Sequence, residues 1–365
     1  MSNITKNPIR VCEPSIGKEE KKWVLRVLKE NRISSTGGFV ELFEQEFAKK
    51  IGVKHCVAVN SGGSALFLAL KVLGIGEGDE VIIPTFTMIA CANAVVWTGA
   101  KPVLVDADWD TCNIDVSQIE DKITRRTKAI MPVHIYGHPC EMDKILEIAR
   151  RHNLYVIEDC AEAHGAEFMG KKVGTFGDIA CWSFYANKII TTGEGGAIIT
   201  NDKKIAKELR KLRAYYFSEK RHFDHKKIGW NLRMSSIEAA IGLGQLEKWD
   251  KFIEARINNA NYYTQNLEGI VGFSIQKLYA KNVYWMYLIR VGRHRDKLTR
   301  YLAKNGIETR TGFFPIHWQK PYKEPYKKYP IANRLGKETL YLPSGSDLTQ
   351  KKQDYVIQKI KDFFS

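Results

Sequence analysis

Through residues 55–200, short apolar runs rich in β-branched residues alternate with stretches of helical periodicity, and few folds accommodate that alternation. The runs fall at residues 55–59, 80–83, 102–106, 129–135, 155–159, 179–184 and 197–200. Residues 64–73, 88–97, 116–123 and 141–152 read as the helices between them. Strands that are apolar on both faces belong inside a sheet covered on both sides. Strands alternating with helices therefore predict an α/β fold with a mainly parallel sheet between helical layers. Beyond residue 201 the pattern changes to a helix at 203–212, a polar, aromatic and basic loop at 213–230, and one long helix or a bent pair at 236–266. A strand at 283–291 and helices at 297–305 and 350–364 follow. We expect a large α/β domain over residues 1–248 and a smaller α+β domain over 249–365. No Pro- or Ser-rich linker separates them, which predicts tight packing.

Composition removes several classes. With 44% hydrophobic and 11% aromatic residues the chain is not disordered. Its seven cysteines are odd in number and none forms a C-x-x-C pair, which argues against a disulfide framework or a structural metal site and for reduced thiols in a cytoplasmic protein. Residues 1–7 hold no apolar run of the signal-peptide kind. Residues 81–100 carry no charge over about the length of a membrane span. Pro84, Thr85, Thr87, Asn93, Thr98 and Gly99 interrupt them, so they read as a strand and a helix rather than a membrane segment. The net charge of +15 is scattered, with no arginine-rich arm. It fits a solvated basic surface or a field that draws in a small anion better than nucleic-acid binding.

Three constellations can carry chemistry. In Asn60-Ser61-Gly62-Gly63-Ser64 a strand enters a glycine-rich turn and then a helix. Helix N-termini attract anions and glycines allow close approach, so this is a phosphate cradle or a plain turn. In Glu158-Asp159-Cys160-Ala161-Glu162 a buried strand ends in carboxylates, where open α/β sheets bind ligands. The alternative for Asp159 is a helix N-cap. In Ser183-Phe184-Tyr185-Ala186-Asn187-Lys188 a lysine stands between an apolar strand and an apolar pair. Such a lysine is either desolvated and able to form a Schiff base, or a surface residue lying along the protein. A cradle, an acid and a lysine together match the needs of pyridoxal 5′-phosphate: a phosphate site, a partner for the ring nitrogen and an amine for the aldehyde.

The chain also resembles the fold-type-I, pyridoxal-phosphate-dependent sugar aminotransferases of the DegT/DnrJ/StrS family, from Trp23 to Phe364, and within them the perosamine synthases. The most specific stretches are Ile33-Ser34-Ser35-Thr36-Gly37, Gly78-Asp79-Glu80-Val81-Ile82-Ile83-Pro84, Pro132-Val133-His134-Ile135-Tyr136-Gly137, residues 158–163, and Asn187-Lys188-Ile189-Ile190-Thr191-Thr192-Gly193-Glu194-Gly195-Gly196. The resemblance implies that Lys188 is the Schiff-base lysine and proton carrier and that Asp159 pairs with the pyridinium nitrogen. Gly62, Gly63, Ser64 and Ser183 would hold the phosphate. Asn231 would reach it from the other subunit of a homodimer. Met88 and Glu162 would flank the ring. Many relatives have an aromatic residue at position 88, threonine or serine at 63 and glutamine at 162, although perosamine synthases carry glutamate at the last. Arg310 and His317 would line the substrate site, with Arg32 either beside them or a plain surface residue, and His164 either a pocket residue or a core histidine. The implied reaction transfers the amino group of L-glutamate, through pyridoxamine 5′-phosphate, to a nucleotide-linked 4-keto-6-deoxy sugar. GDP-4-keto-6-deoxymannose is the first choice and a dTDP or UDP sugar the second. A sugar dehydratase would carry histidine at 188, and a non-catalytic regulatory or binding protein would take up no cofactor.

Overall fold

The computed structural model describes residues 8–218 and 223–365. The signal-peptide reading of residues 1–7 and the part of the loop reading that falls on 219–222 lie outside the described residues. The first helices are α1 (Lys18–Lys29) and α2 (Phe39–Ile51). The central elements are β1 (His55–Val59), α3 (Gly62–Val72), β2 (Glu80–Pro84), α4 (Ala90–Trp97), β3 (Lys101–Val105), β4 (Thr127–Ile130), α5 (Met142–His152) and β5 (Tyr155–Asp159). A short hairpin of β6 (Glu167–Phe168) and β7 (Lys171–Lys172) precedes β8 (Ile179–Ser183) and β9 (Gly196–Thr200). Then come α6 (Lys203–Leu212), α7 (Ser236–Leu246) and α8 (Trp249–Leu267).

The large sheet has the order β1-β9-β8-β5-β4-β2-β3. All its pairings are parallel except those of β9, which runs against both β1 and β8. This arrangement positions the site. Gly196 of β9 pairs with Val59 on one side and Ser183 on the other, and Asp159 pairs with Cys181. The carboxyl ends of β1, β5 and β8 thus open side by side, where a parallel sheet leaves room for a ligand. Helices α2 and α3 and the aromatic group of Phe43, Phe47, Phe184, Trp182 and Trp249 fill one core around this sheet.

The remainder forms a smaller unit. A four-stranded antiparallel sheet has the order β10-β12-β14-β13, from β10 (Gly272–Phe273), β12 (Tyr287–Arg290), β13 (Arg310–Thr311) and β14 (Thr339–Leu342). The two-residue β11 (Ala280–Lys281) instead joins β6. Helices α9 (Arg295–Lys304), α10 (Pro330–Glu338) and α11 (Gln350–Phe364) complete the unit. Its core joins Leu267, Ile289, Leu298, Leu340, Val356 and Ile360 with Ile9 from the N-terminal segment. Ile9 is tied there by its N–H to the Gly306 carbonyl and by its carbonyl to the Glu308 N–H.

Three readings need correction. Residues 116–123 form two 3₁₀ turns, Val116–Gln118 and Glu120–Lys122, rather than a helix. The Asp115 carboxylate accepts from the Ser117 N–H and turns the chain, and Ile123 is already extended. A segment this short has too few helical bonds to offset nucleation. The strand expected over 129–135 stops at Ile130, before Pro132, whose nitrogen cannot donate. Residues 283–291 are a strand only over Tyr287–Arg290. The stretch 236–266 is the bent pair, α7 and α8, interrupted at Glu247–Lys248. Residues 81–100 divide between β2 and α4, and no helix among the described residues is long and apolar enough to cross a membrane.

Candidate active site

A cavity of about 730 Å³ opens at the carboxyl ends of β1, β5 and β8. The large sheet contributes Gly62, Gly63, Asp159, Glu162, Ser183 and Lys188, and the small unit closes it with Trp285, Arg310, Phe313 and Tyr341. Its floor is the start of α3. Ser61 caps that helix: its Oγ accepts the Ser64 N–H at 3.1 Å, while the Ser64 hydroxyl donates to Asn60 Oδ1 at 2.7 Å. Ser61 therefore lines the cavity and Ser64 does not. Gly62 is packed against Ser183 so closely that a Cβ would stand 2.7 Å from the Ser183 Cβ. At Gly63 a Cβ would meet nothing nearer than 3.9 Å. The backbone at Gly62 is thus bare by necessity, beside the Ser183 hydroxyl and under the positive end of the helix dipole.

Asp159 ends β5 and is buried. No helix follows it, so it caps none. Its Oδ1 accepts the Ala161 N–H at 3.0 Å and its Oδ2 accepts the Cys91 thiol at 3.1 Å. Burial, reinforced by the charge of Asp159, pushes the Cys91 thiol up, so it remains a proton donor. The neighbouring Glu158 turns away from the cavity. It accepts the N–H groups of Gly174, Phe176 and Gly177 and lies 3.2 Å from His134 Nε2. That carboxylate, which with His134 and Cys160 forms a compact trio of metal-ligand type, is taken up by these bonds.

Lys188 follows β8 and lies inside the cavity, its side chain 11% exposed, so it does not run along the surface. Nζ sits 3.7 Å from the centre of the Trp285 ring and 4.0 Å from Glu162 Oε1. Burial lowers the lysine's pKa, and the nearby Glu162 and Asp159 carboxylates partly oppose that shift. Burial raises Glu162 to about 7, against the pull of Lys188 and of the Tyr136 N–H that it accepts at 2.7 Å. One proton is thus easily exchanged between two groups that are each costly to charge in this setting.

The remaining candidates are dispersed. Met88 is at the cavity wall and 53% exposed. Arg310 lines the cavity and reaches Glu308 at 3.3 Å. His164 does not line it. The ring is buried among Trp182, Phe184 and Trp249, and burial pushes it down to about 3, so it is uncharged at neutral pH. His317 also lies behind the wall: the Thr85 hydroxyl is 2.7 Å from Nδ1, and Nε2 donates to Asn333 Oδ1 at 2.8 Å. Burial lowers its pKa, so it presents no cation to a substrate. Arg32 and Asn231 are exposed and outside the cavity of their own chain. The sequence reading did not anticipate Trp285, Phe313, Tyr341 or Cys91. Cys91 lies in the first turn of the helix after β2, and Phe313 stands between the candidates Arg310 and His317.

The residues fit pyridoxal phosphate. The closed Gly62 position leaves backbone and hydroxyl to an anion, the Asp159 carboxylate retains accepting capacity beyond its two donors, and Lys188 Nζ is enclosed with the Glu162 carboxylate 4.0 Å away. In addition, Asn187 Oδ1 in the cavity wall is buried with no partner.

Residues 14–361 match the DegT/DnrJ/EryC1/StrS aminotransferase family. The chain is 45% identical over 359 residues to the GDP-perosamine synthase of Escherichia coli O157:H7, covering 98% of this chain and 99% of that one. It is 47% identical over 358 residues to the GDP-perosamine synthase of Caulobacter vibrioides, covering 96% of each. Among solved structures, Streptomyces venezuelae DesV in complex with a ketimine intermediate superposes with a TM-score of 0.91 at 37% identity, covering 95% of this chain and 94% of that one. The PLP form of the Streptococcus pneumoniae putative sugar aminotransferase Spr1654 gives 0.93 at 26% identity, covering 97% and 98%.

Proposed function

The chain belongs to the DegT/DnrJ/EryC1/StrS aminotransferase family, and we propose that it is a GDP-sugar 4-aminotransferase that makes GDP-perosamine from GDP-4-keto-6-deoxymannose with L-glutamate as donor. The observation that carries this reading is the enclosure of Lys188 Nζ in one cavity with Asp159, above the bare backbone of Gly62. The similarity to two GDP-perosamine synthases over nearly the whole of each chain supports the choice of sugar.

In this reading Gly62, Gly63 and Ser183 bind the phosphate, and Asp159 holds a proton on the ring nitrogen. When bound, pyridoxal phosphate supplies a carbonyl that takes up an amine and a ring that draws electron density from the adjoining carbon. Lys188 Nζ would move a proton from the α-carbon of glutamate to C4′ of the cofactor in the first half of the cycle, and from C4′ to C4 of the sugar in the second. A lysine whose pKa is lowered by burial can act as base near neutrality. Glu162 is close enough to buffer its proton. Trp285, Phe313 and Tyr341 exclude water from the exchange.

Arg310 at the rim meets the diphosphate, drawn in by the basic surface. His164 acts through packing, and His317 through its bonds to Thr85 and Asn333. Arg32 and Asn231 serve the cavity of a second subunit. Met88, Trp97 and Ile33 are exposed by 53%, 59% and 54%, which suits a buried homodimer face. The enzyme works in the cytoplasm, as large and small domains divided near Trp249.

The test is a panel of GDP-, dTDP- and UDP-linked 4-keto-6-deoxy sugars with glutamate, read by 2-oxoglutarate release. Turnover of the GDP sugar alone is expected. Preference for a dTDP or UDP sugar would overturn the choice of nucleotide. Failure of the protein to take up pyridoxal phosphate, or of borohydride to fix it on the Lys188 peptide, would overturn the whole reading.

A further inference from the structure

Arg256 is the anomaly of the molecule's interior. It lies in the middle of α8, only 2% exposed, among the largest fully enclosed side chains. Arginine is rarely buried unless it is paired. Here no carboxylate oxygen among the described residues lies within ion-pair distance of the guanidinium. Its donors go instead to three neutral groups. Nη1 donates to the Trp285 carbonyl at 2.6 Å, Nη2 to Cys12 Sγ at 3.1 Å, and Nε to Ser346 Oγ at 3.1 Å.

Two of those three partners converge on one atom. The Trp285 indole N–H donates to the Asn187 carbonyl at 2.8 Å, and the Cys12 thiol donates to the same oxygen at 3.5 Å. That carbonyl belongs to the peptide immediately before Lys188. The face of the same indole carries Lys188 Nζ, 3.7 Å from its centre. Arg256 therefore grips the two residues that hold the lysine's backbone, and one of them also holds its amine.

We propose that Arg256 is a positioning residue for Lys188: its fork fixes Trp285 and Cys12, and these fix the Asn187 carbonyl. The inference rests on the assignment of Lys188 made above and adds a residue on which the motif around the lysine is silent. The burden of a buried charge without an acid is understandable if that charge has work to do nearby. Burial is the main cause that lowers the Lys188 pKa; the Glu162 and Asp159 carboxylates oppose it, and the Arg256 charge adds a smaller push in the same direction as burial. Removing it would shift the lysine toward its ammonium form. Keeping the charge but losing the fork would loosen the geometry alone, and misplacement by about 1 Å can slow a reaction roughly 100-fold.

The experiment measures the rate at which the cofactor-free chain captures pyridoxal phosphate, followed by absorbance from pH 6 to pH 10, with borohydride fixation and peptide mapping as a second readout. For Arg256→Met we expect the midpoint of the rate profile to move to higher pH, with roughly 10- to 100-fold slower capture at pH 7. For Arg256→Lys, which keeps the charge on a single donor head, we expect the midpoint to stay and the plateau rate to fall. Trp285→Phe keeps a ring face for the amine but cannot donate to Asn187. It should behave like Arg256→Lys, and it carries the test if the Arg256 variants do not fold. Profiles of all three that overlay the wild type would overturn the inference. So would variants that lower thermal stability without changing rate or midpoint, because that is the signature of a merely structural residue. Should borohydride fail to label Lys188 in the wild type, the assignment of the lysine fails first, and the two failures are told apart.

Discussion

Gly62 and Gly63 are adjacent glycines at the start of one helix, yet the structure predicts opposite outcomes when each becomes alanine. At Gly62 the new methyl would stand 2.7 Å from the Ser183 Cβ, 3.1 Å from its Oγ and 3.3 Å from its Cα. Carbon pairs prefer about 3.5–4.0 Å, and the obstacle includes backbone, so rotating a side chain cannot relieve it. β8 or the first turn of α3 must shift, and forcing a methyl into a closed site typically costs about 1–3 kcal/mol. Both segments border the proposed phosphate site, so most of that strain should appear in cofactor affinity, as a loss of roughly 5- to 150-fold. At Gly63 the nearest atoms to an added Cβ are 3.9 Å away, on Ser61 and Trp97. There the alanine should be accommodated, and restricting the unfolded chain should add about 0.4–1 kcal/mol of stability. The assay is titration of the cofactor-free variants with pyridoxal phosphate, by quenching of tryptophan fluorescence, beside thermal unfolding. Comparable affinities for the two variants, or a stronger loss at Gly63 than at Gly62, would refute the reading of which glycine is demanded by packing.

Three further outcomes follow from the same geometry. Lys188→Ala should abolish 2-oxoglutarate release while leaving circular dichroism unchanged, because Lys188 is the amine that serves both halves of the reaction; retained turnover would sink the assignment. Glu162, raised to about 7 in the fold from an ordinary value of 4.5, contributes stability that is complete below pH 4.5 and lost as pH rises through 7. The wild type should therefore lose melting temperature relative to Glu162→Gln between pH 4.5 and 7, and parallel curves would show that the carboxyl is not perturbed. Cys91→Ser keeps a donor to Asp159 and should bind pyridoxal phosphate nearly as the wild type does. Cys91→Val removes that bond, worth about 1 kcal/mol, and should bind roughly fivefold more weakly. Equal affinities would show that the thiol does not tune the carboxylate.

What could be read from the sequence, and what could not, divides by distance along the chain. The strands of the large sheet were legible because burial on both faces leaves them almost no polar residues; Asp159 was legible because it ends such a strand, and Lys188 because it stands between such a strand and an apolar pair. Where neighbouring residues of one type compete, sequence alone does not choose. Ser61 and Ser64 flank the same two glycines, and the point at which α3 begins decides that Ser61 becomes the cap facing the cavity. Histidine shows the same limit. His164 and His317 stand near functional motifs, but aromatic packing and the Thr85–Asn333 pair take them up. The far wall was invisible for a different reason. Trp285 meets Asn187 across 98 residues, and Arg256 meets Cys12 across 244. Neither has a local pattern that marks it. An arginine in the middle of a helix reads as a solvated side chain until the fold encloses it. Short motifs therefore reveal the groups that perform the chemistry, whereas the groups that aim them are specified by long-range packing. If so, substitutions at Trp285 and Arg256 should alter the reactivity of Lys188 as strongly as many substitutions within its own motif.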